Sequence, residues 1–300
     1  MNERERGKML RRVFPEQYYA AFLSRDLRSD GRALDRTVQT SLRRKWSLSR
    51  ADSSGDGDGV HQSLGSVLLK AGNTMMLALV SASGVAAGVA SCECVLDMGP
   101  ICSPYVLRGS SHALDAAVVA RQVSEMLCST VDLEQLVIIK DVLAWSVRVD
   151  VHVINYDGNL LDATGLAALA ALQRARLPEL TPLHAPHNDD DTPIPHPPGI
   201  GQPLMRASAE RQVRIPLRSK ARIMPCSFVV IGDKLLMDPT GEEERVSDAA
   251  LCVQVDETGA LCKVSKYGGA VVSDEMLQEC ISAACGEVNG WVKLLDEDDA

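Results

Sequence analysis

The chain has 300 residues, of which 46% are hydrophobic, 24% are charged and only 4% are aromatic. A chain of this length can bury about 75% of the surface that its unfolded form exposes, so it can form one large domain or two modest ones. Its formal net charge of −9 excludes a uniformly basic nucleic-acid coat protein, but it is compatible with a local RNA-binding surface.

Basic residues are concentrated in the first part of the chain. Residues 1–50 hold 13 Lys and Arg against 6 Asp and Glu, whereas the remaining residues hold 18 against 34. This segment could contact phosphate or an acidic partner, or it could be a solvated charged arm. We assign residues 1–29 to a basic arm and a helix that starts at Phe14-Pro15-Glu16, because proline favours the first helical turn. A secretory signal is not expected, since no apolar stretch follows the basic start.

Residues 30–177 have the pattern of a first folded half. Apolar spacing predicts strands at 66–70, 74–81 and 143–155 and helices at 113–128 and 160–173. The first two strands are joined by Ala71-Gly72-Asn73, which predicts a hairpin turn. The apolar stretch Met75–Ala90 is short for a membrane span and rich in Ser, Gly and Ala, so we interpret it as strand and turn.

Residues 178–212 are predicted to form a proline-rich insertion or linker. Eight of the fourteen prolines lie within 178–203, next to an aspartate run. The segment also holds His184, His187 and His196, which could form a weak metal site, although a solvated loop is the interpretation we favour. Another polar loop, rich in glycine, is predicted at 51–59.

Residues 213–295 have the pattern of a second folded half. Strands are predicted at 213–218, 226–231, 234–237, 250–255 and 260–265. A final helix is predicted from Ser273, which is a suitable N-cap. Residues 296–300 are expected to be an acidic, frayed tail.

Nine cysteines occur, most of them inside apolar runs, which is typical of small buried thiols in a reducing compartment. Cys92, Cys94 and Cys102 could instead belong to a zinc site. A tetrahedral site needs four well-placed ligands, and no second Cys or His pair stands at a matching spacing. We therefore assign no metal site.

Two acidic segments are open to two interpretations. Residues 238–244 follow a strand, and their carboxylates could hold Mg²⁺, but proline and acidic residues also favour the start of a helix. We favour the helix start. Asp157-Gly158-Asn159 follows a long strand and is either a turn or a carboxylate placed at a strand end.

Four segments together carry a family resemblance. They are Arg28–Arg32, Gly65–Thr74, Asn155–Ala163 and Met237–Glu244. Their order and spacing resemble ribonuclease PH-like proteins from about Pro15 to Trp291. Within that family the chain is most similar to the non-catalytic ring subunits of the eukaryotic RNA exosome, of the type called exosome component eight. The opening motif Pro15-x-x-Tyr-Tyr-x-x-Phe-Leu is similar to that type.

The resemblance implies an α/β (α+β) fold of two βαβ-type halves, with mixed sheets and packed helices as in ribosomal protein S5 domain 2. Active family members bind phosphate and RNA through arginines and a glycine-rich loop, and they use acidic residues for Mg²⁺ and proton transfer.

The resemblance also implies that this equipment is degenerate here. After Asp157, Leu161 stands where active members have arginine. Glu244 replaces an aspartate, and Ala250 stands at the second aspartate position. The phosphate loop is reduced to Lys266-Tyr-Gly268-Gly269. We therefore assign no catalytic residue and no cofactor.

The expected function is a structural ring subunit that helps to form an RNA channel for 3′–5′ processing and degradation. The partners implied by the resemblance are other ribonuclease PH-like ring subunits, with component five as direct neighbour, S1/KH cap subunits, RNA and a separate nuclease. Arg108 and Arg121 are candidate RNA contacts, although each could form an intramolecular ion pair. The expected location is the nucleus, including the nucleolus, and the cytoplasm, without membrane association.

Two other functions stay open at this stage. The chain could be an active, phosphate-dependent 3′–5′ exoribonuclease that uses Mg²⁺. It could also be a free-standing RNA-binding adaptor.

Overall fold

The first sheet contains the three strands predicted for this half together with three that were not predicted. A computed structural model describes residues 3–32, 46–50, 64–86, 89–103, 111–182, 205–217 and 222–297. The strands of this sheet are β1 (Trp46–Arg50), β2 (Gly65–Ala71), β3 (Thr74–Ala86), β4 (Ser91–Met98), β5 (Val137–Ile139) and β6 (Leu143–Asn155). Their order is β1-β2-β3-β6-β4, with β5 pairing to β6, and β4 runs parallel to β6. The predicted hairpin is confirmed, because β2 and β3 pair in antiparallel register across Gly72-Asn73.

Strand β6 shows why the first sheet has one buried face. Its side chains alternate, so that Val147, Val149 and Val151 are fully buried while Arg148 and His152 point to solvent. This alternation is the period of two that an extended strand imposes on its side chains. The buried face receives helices α3 (Ser111–Thr130) and α4 (Leu160–Arg174), which cover the predicted helical segments.

Helix α4 is the centre of the molecule. Every residue from Leu160 to Leu172 is buried, because the helix packs against β2 and β3 on one side and against the second sheet on the other. The abundance of alanine and leucine allows this helix to be apolar all round. One polar exception is Asp162, whose carboxylate accepts hydrogen bonds from the Ser227 N–H at 3.0 Å and hydroxyl at 2.7 Å.

The second sheet is formed by β9 (Met224–Ile231), β10 (Lys234–Met237), β11 (Ala249–Val255) and β12 (Leu261–Gly268). Their order is β10-β9-β11-β12, and all pairs are antiparallel. Helix α6 (Asp274–Glu297) packs on β9 and β11. The predicted N-cap is confirmed, since the Ser273 hydroxyl accepts from the Met276 N–H at 3.2 Å.

The boundaries of the proline-rich segment differ from the expected ones. Strands β7 (Arg176–Pro182) and β8 (Met205–Arg214) pair as a two-stranded ribbon, so both ends of the 178–212 segment are strands. Strand β8 begins at Met205 and ends at Arg214, so the strand predicted at 213–218 is wrong after its first two residues. Proline is tolerated here because both strands of an isolated ribbon are edge strands. The predicted loop at 51–59 lies outside the described residues, as do the three histidines of the insertion.

The ends of the chain are more ordered than the sequence suggested. Two helices precede the first sheet, α1 (Glu3–Val13) and α2 (Pro15–Leu23), and only the second was predicted. Helix α6 extends to Glu297, and Asp296 accepts from the Arg222 guanidinium at 2.8 Å. The acidic tail predicted at 296–300 therefore begins inside a helix.

The cysteines are free thiols, as predicted, and most are buried. Burial raises the pKa of Cys92 and of Cys94 to about 12, so both stay protonated near neutral pH. Within the described ranges, no three His, Cys, Asp or Glu residues are grouped to hold a metal ion. No helix of the described part is long and apolar enough to cross a membrane.

We predict that Gly65→Ala destabilises the fold markedly. Strand β2 crosses α4 at Gly65 so closely that a Cβ there would lie 2.7 Å from the Ala171 carbonyl oxygen and 2.8 Å from the Ala175 Cα. Backbone atoms cannot rotate away as a flexible side chain can, so the strand and the helix must separate. Urea unfolding should show a loss of about 1–3 kcal/mol.

Gly7→Ala is the matched control. No atom lies within 4 Å of a Cβ at Gly7, and Ala is the better helix former by about 1 kcal/mol. Equal stability of the two variants would contradict the close approach at Gly65.

Candidate functional site

The four segments that carry the family resemblance meet in one buried polar cluster, which we call the polar junction. It consists of Arg28, Arg32, Thr74, Asn159, Asp238, Glu243 and Glu244, with Gly158 at its edge. The residues come from the turn after α2, the start of β3, the turn before α4 and the start of helix α5 (Gly241–Val246). The junction includes Glu244 and adjoins Asp157, which are two of the degenerate catalytic positions.

Arg28 is the most buried cation of the junction, with 4% of its surface exposed. Its Nε donates to Glu243 Oε1 at 2.9 Å, and its Nη2 donates to the other oxygen of the same carboxylate. Its Nη1 also donates to the Met237 carbonyl at 2.7 Å. This two-pronged geometry is the strong form of an arginine–carboxylate pair. It uses the guanidinium for the fold and leaves it unavailable to a ligand.

Arg32 closes the junction on the side of solvent. Its Nε donates to Asp30 Oδ2 at 2.6 Å, and its Nη1 donates to the Asp238 carbonyl at 3.0 Å. Burial lowers the pKa of Arg32, and the nearby charge of Arg28 adds to this effect. For Asp30, burial works against ionisation, but the charge and N–H of Arg32 outweigh it, so the pKa of Asp30 lies below its ordinary value.

The acidic segment 238–244 begins a helix, as we favoured. Thr240 is the N-cap of α5, and its side chain and Glu243 form a reciprocal capping box. The Thr240 N–H donates to Glu243 Oε2 at 2.8 Å, and the Glu243 N–H donates to the Thr240 hydroxyl at 3.4 Å. Glu243 therefore serves Arg28 and the helix start at once, and it is 1% exposed.

Glu244 stands where the resemblance places a catalytic carboxylate, but both of its oxygens have partners within the chain. Oε2 accepts from the Tyr156 hydroxyl at 2.6 Å, and Oε1 accepts from the Asn159 N–H at 2.7 Å. Asn159 is the N-cap of α4 and has a left-handed backbone with φ of 57°. A carboxylate at a helix N-terminus complements the helix dipole. Glu244 thus helps to start the central helix.

Asp157-Gly158-Asn159 is a turn, which settles the second open interpretation. Gly158 has φ of +87°, and a Cβ on it would overlap the Gly241 N–H and lie 2.7 Å from the Pro239 carbonyl. Thr74 ties this turn to the first sheet by donating to the Gly158 carbonyl at 2.9 Å. The Asp157 carboxylate accepts a hydrogen bond from the Asn73 side-chain amide at 3.2 Å.

The two aliphatic replacements are part of the packing. Leu161 lies in the first turn of α4 and is 8% exposed within the main core. Ala250 lies on β11 and packs with Leu23, Val229 and Leu236 beneath helix α2. Neither side chain can bind phosphate, hold a metal ion or transfer a proton.

Gly268 is the last residue of strand β12, and Gly269 follows it. Gly268 has φ of +86°, and a Cβ there would lie 2.7 Å from the Asp248 carbonyl. Lys266 Nζ donates back to the Gly268 carbonyl at 3.1 Å. The glycine is therefore explained by the close passage of β12 beside Asp248. In the polar junction, the structure brings together Glu244 and the turn that holds Asp157.

The candidate RNA contacts have different outcomes. Arg108 lies outside the described residues. Arg121 is exposed on α3, and its Nε donates to Glu125 at 3.2 Å. Glu125 also accepts from Lys263 of β12 at 2.8 Å. The pKa of Glu125 lies below its usual value, mainly because of the hydrogen bond and charge of Lys263. The hydrogen bond and charge of Arg121 make a smaller contribution. Arg121 thus forms an intramolecular ion pair, and its contact with RNA stays a prediction.

Sequence reasoning did not find the Arg28–Glu243 pair or the role of Asn159. The Thr240-x-x-Glu243 spacing was a usable signal, because Ser or Thr followed three residues later by Glu marks a capping box. The arginine partner carried no local signal, since it lies 215 residues away.

The fold and this site define a class of protein. The family described as "3′ exoribonuclease family" matches in two parts, domain 1 over residues 48–178 and domain 2 over residues 221–287. The chain belongs to this family, and its fold is the ribonuclease PH fold. The resemblance predicted from the four segments is confirmed at this level, whereas the component-eight type stays a prediction.

Similar proteins include components of exosomes. Exosome complex component Rrp42 of Thermococcus gammatolerans is 32% identical over 205 residues, which is 67% of each chain. Exosome complex component rrp43 of Schizosaccharomyces pombe is 25% identical over 288 residues, covering 92% of this chain and 93% of the relative. A solved exosome of Archaeoglobus fulgidus with RNA bound to its active site shares the fold, with a TM-score of 0.69, 24% identity and coverage of 94% and 96%.

We predict that Arg28→Ala destabilises the protein strongly. The change leaves the Glu243 carboxylate buried without its cation, and breaking a buried pair from one side costs about 3–5 kcal/mol. Thermal and urea unfolding of the variant measure this loss. Arg25→Ala is the control, because Arg25 is an exposed arginine three residues away. A similar, small effect of both changes would contradict the central role of the pair.

Proposed function

We propose that the chain is a non-catalytic ring subunit of an RNA exosome, in which it helps to form the channel that guides RNA for 3′–5′ processing and degradation. The proposal includes a nuclear, nucleolar and cytoplasmic location and the handling of ribosomal and other RNAs. Its ring neighbours would be other ribonuclease PH-like subunits, with component five as direct neighbour, together with S1/KH cap subunits and a separate nuclease.

The observation that carries this proposal is the use of Glu244. In the inferred ancestral site this position holds an acidic catalytic residue, but here both carboxylate oxygens are bound to Tyr156 and Asn159. Leu161 and Ala250 remove an arginine and a second carboxylate from the same equipment. Loss of one transition-state donor typically costs about 10²–10³ in rate, and several positions are changed together.

Exposed apolar surface supports a role in an assembly. Strand β12 is an edge strand of the second sheet, and Leu261, Val264 and Tyr267 on it are exposed. Ile101 and Val271 are 95% and 91% exposed. The outer edge of a strand with exposed apolar side chains favours pairing with another chain, and a ring supplies such a chain.

We predict that the purified chain lacks phosphorolytic activity. Incubation with RNA, Mg²⁺ and inorganic phosphate should release no nucleoside diphosphate, with an active bacterial-type ribonuclease PH as positive control. The assay is repeated with the chain bound to its ring neighbours. Release of nucleoside diphosphate that disappears in Glu244→Ala would favour the alternative, an active exoribonuclease, because it would trace the activity to this chain.

We also predict assembly with ring neighbours. Co-expression with a ribonuclease PH-like partner should convert the chain into a soluble heteromer with a higher melting temperature, because a partner that binds the folded state stabilises it by mass action. Sedimentation and thermal melting measure both effects. A native protein that sediments near 32.3 kDa, with a melting temperature unaffected by the partner, would instead favour the RNA-binding adaptor.

A further inference from the structure

Helix α1 has an apolar side with little to pack against. Met9 and Val13 are 57% and 55% exposed, and Leu10 and the following Phe14 are also exposed. The helix has 11 residues, and isolated helices shorter than about 12–15 residues are marginal in water unless packing stabilises them. Its contacts within the described chain are made chiefly to α2 and, through Arg11, to α5. The helix therefore presents an incompletely covered apolar surface.

A cleft of about 1270 Å³ lies between α1 and α5. Met9 and Val13 are one helical turn apart on its α1 side, and Pro15 and Val246 add apolar surface. The remaining lining residues are Glu5, Arg11, Arg12, Tyr19, Glu242 and Arg245. This volume exceeds the roughly 300–1,000 Å³ that is usual for a small-molecule pocket, so it suits a stretch of peptide.

The cleft lining has a small excess of positive charge, with three arginines against Glu5 and Glu242. Glu242 is already neutralised, because Arg11 Nε donates to it at 2.7 Å and the Tyr19 hydroxyl donates to the same oxygen. Burial disfavours its ionisation, but these two bonds and the charge of Arg11 hold the pKa of Glu242 below its usual value. Arg12 is exposed and makes no ion pair with any residue the structure describes. The five basic residues in the sequence of α1, which include Arg11 and Arg12, outnumber its two acidic ones.

We propose that the cleft between α1 and α5 docks an acidic, amphipathic peptide segment of a partner protein. Apolar side chains of the segment would cover Met9 and Val13, and a carboxylate of the segment would pair with Arg12. Charge complementarity of this kind selects the partner and speeds its association. The inference is independent of the exosome role, since it uses none of the residues of the polar junction.

RNA is the less suitable occupant. A nucleic-acid backbone carries no apolar side chain along its length and would leave Met9 and Val13 uncovered. Interleaved apolar and basic side chains are instead what an amphipathic helix laid into a groove requires.

The test uses the full chain and a short fluorescent peptide with glutamates on one face and leucines at i, i+4 on the other. Fluorescence anisotropy should show binding that weakens as salt rises, because the charges lie at the surface. Replacing its glutamates by glutamine, or its leucines by serine, should each weaken binding about tenfold, which is about 1.4 kcal/mol. Binding that ignores both changes would overturn the proposal.

Variants of the chain locate the binding. Arg12→Ala should weaken binding of the acidic peptide by at least about fivefold. The double change Met9→Ser with Val13→Ser should have an effect of the same size, which is usual for the loss of such interface contacts. Arg121→Ala, an exposed arginine on α3, is the matched control and should change nothing. All four positions are exposed, so the melting temperature should stay unchanged, and far-UV circular dichroism should show that α1 keeps its helix in each of its variants.

Two further outcomes would also overturn the proposal. Displacement of the peptide by single-stranded oligouridine, with loss of RNA binding in Arg12→Ala, would make the cleft an RNA site. Concentration-dependent self-association that is abolished by Met9→Ser with Val13→Ser would make the occupant a second copy of this chain. Sedimentation of the chain with and without peptide distinguishes the latter case.

Discussion

The ion pair between Arg28 and Glu243 fixes the position of everything around the polar junction. It joins the turn after α2 to the first turn of α5, and Glu243 also completes the capping box of that helix. With α5 held in place, Glu244 reaches the start of α4, the helix on which both sheets pack. Removing two charges from water is costly, so such a pair contributes less to net stability than to fixing one geometry. We infer that it specifies how the second half meets the first.

The same constraint explains how an acidic site can become part of the scaffold. A carboxylate beside a helix N-terminus is well placed either to hold a ligand or to bind the helix itself. Here Glu244 binds Asn159 and Tyr156, while Asn159 also donates to Asp162 at 3.0 Å and Asp238 at 2.6 Å. Each acidic group is thus satisfied by a neighbour. Because Leu161 is packed in the core where active members have an arginine, these hydrogen bonds contribute to stability alone.

Local pattern predicted the elements whose environment is simple. The alternation of β6 and the Ala/Leu composition of α4 each report one burial pattern, and both elements are confirmed. Strands β7 and β8 were missed because their extended conformation depends on pairing with each other. Their register also shifts after Pro178, and no local sequence signal predicts that shift. Helix α1 was missed because its apolar residues remain exposed. The candidate site was located by its segments, but its contacts span 79 to 215 residues and follow only from the fold.

The ribbon of β7 and β8 has a consequence for the evolution of chain length. Because Pro182 pairs with Met205, the two ends of the connection between these strands are held at neighbouring points. The closure of a flexible loop between fixed ends costs only about 0.6 kcal/mol more for each doubling of its length. Residues can therefore be gained or lost between these two anchor points with little effect on the core. The pairing of β7 with β8 would therefore be kept when the length of the connection between them changes.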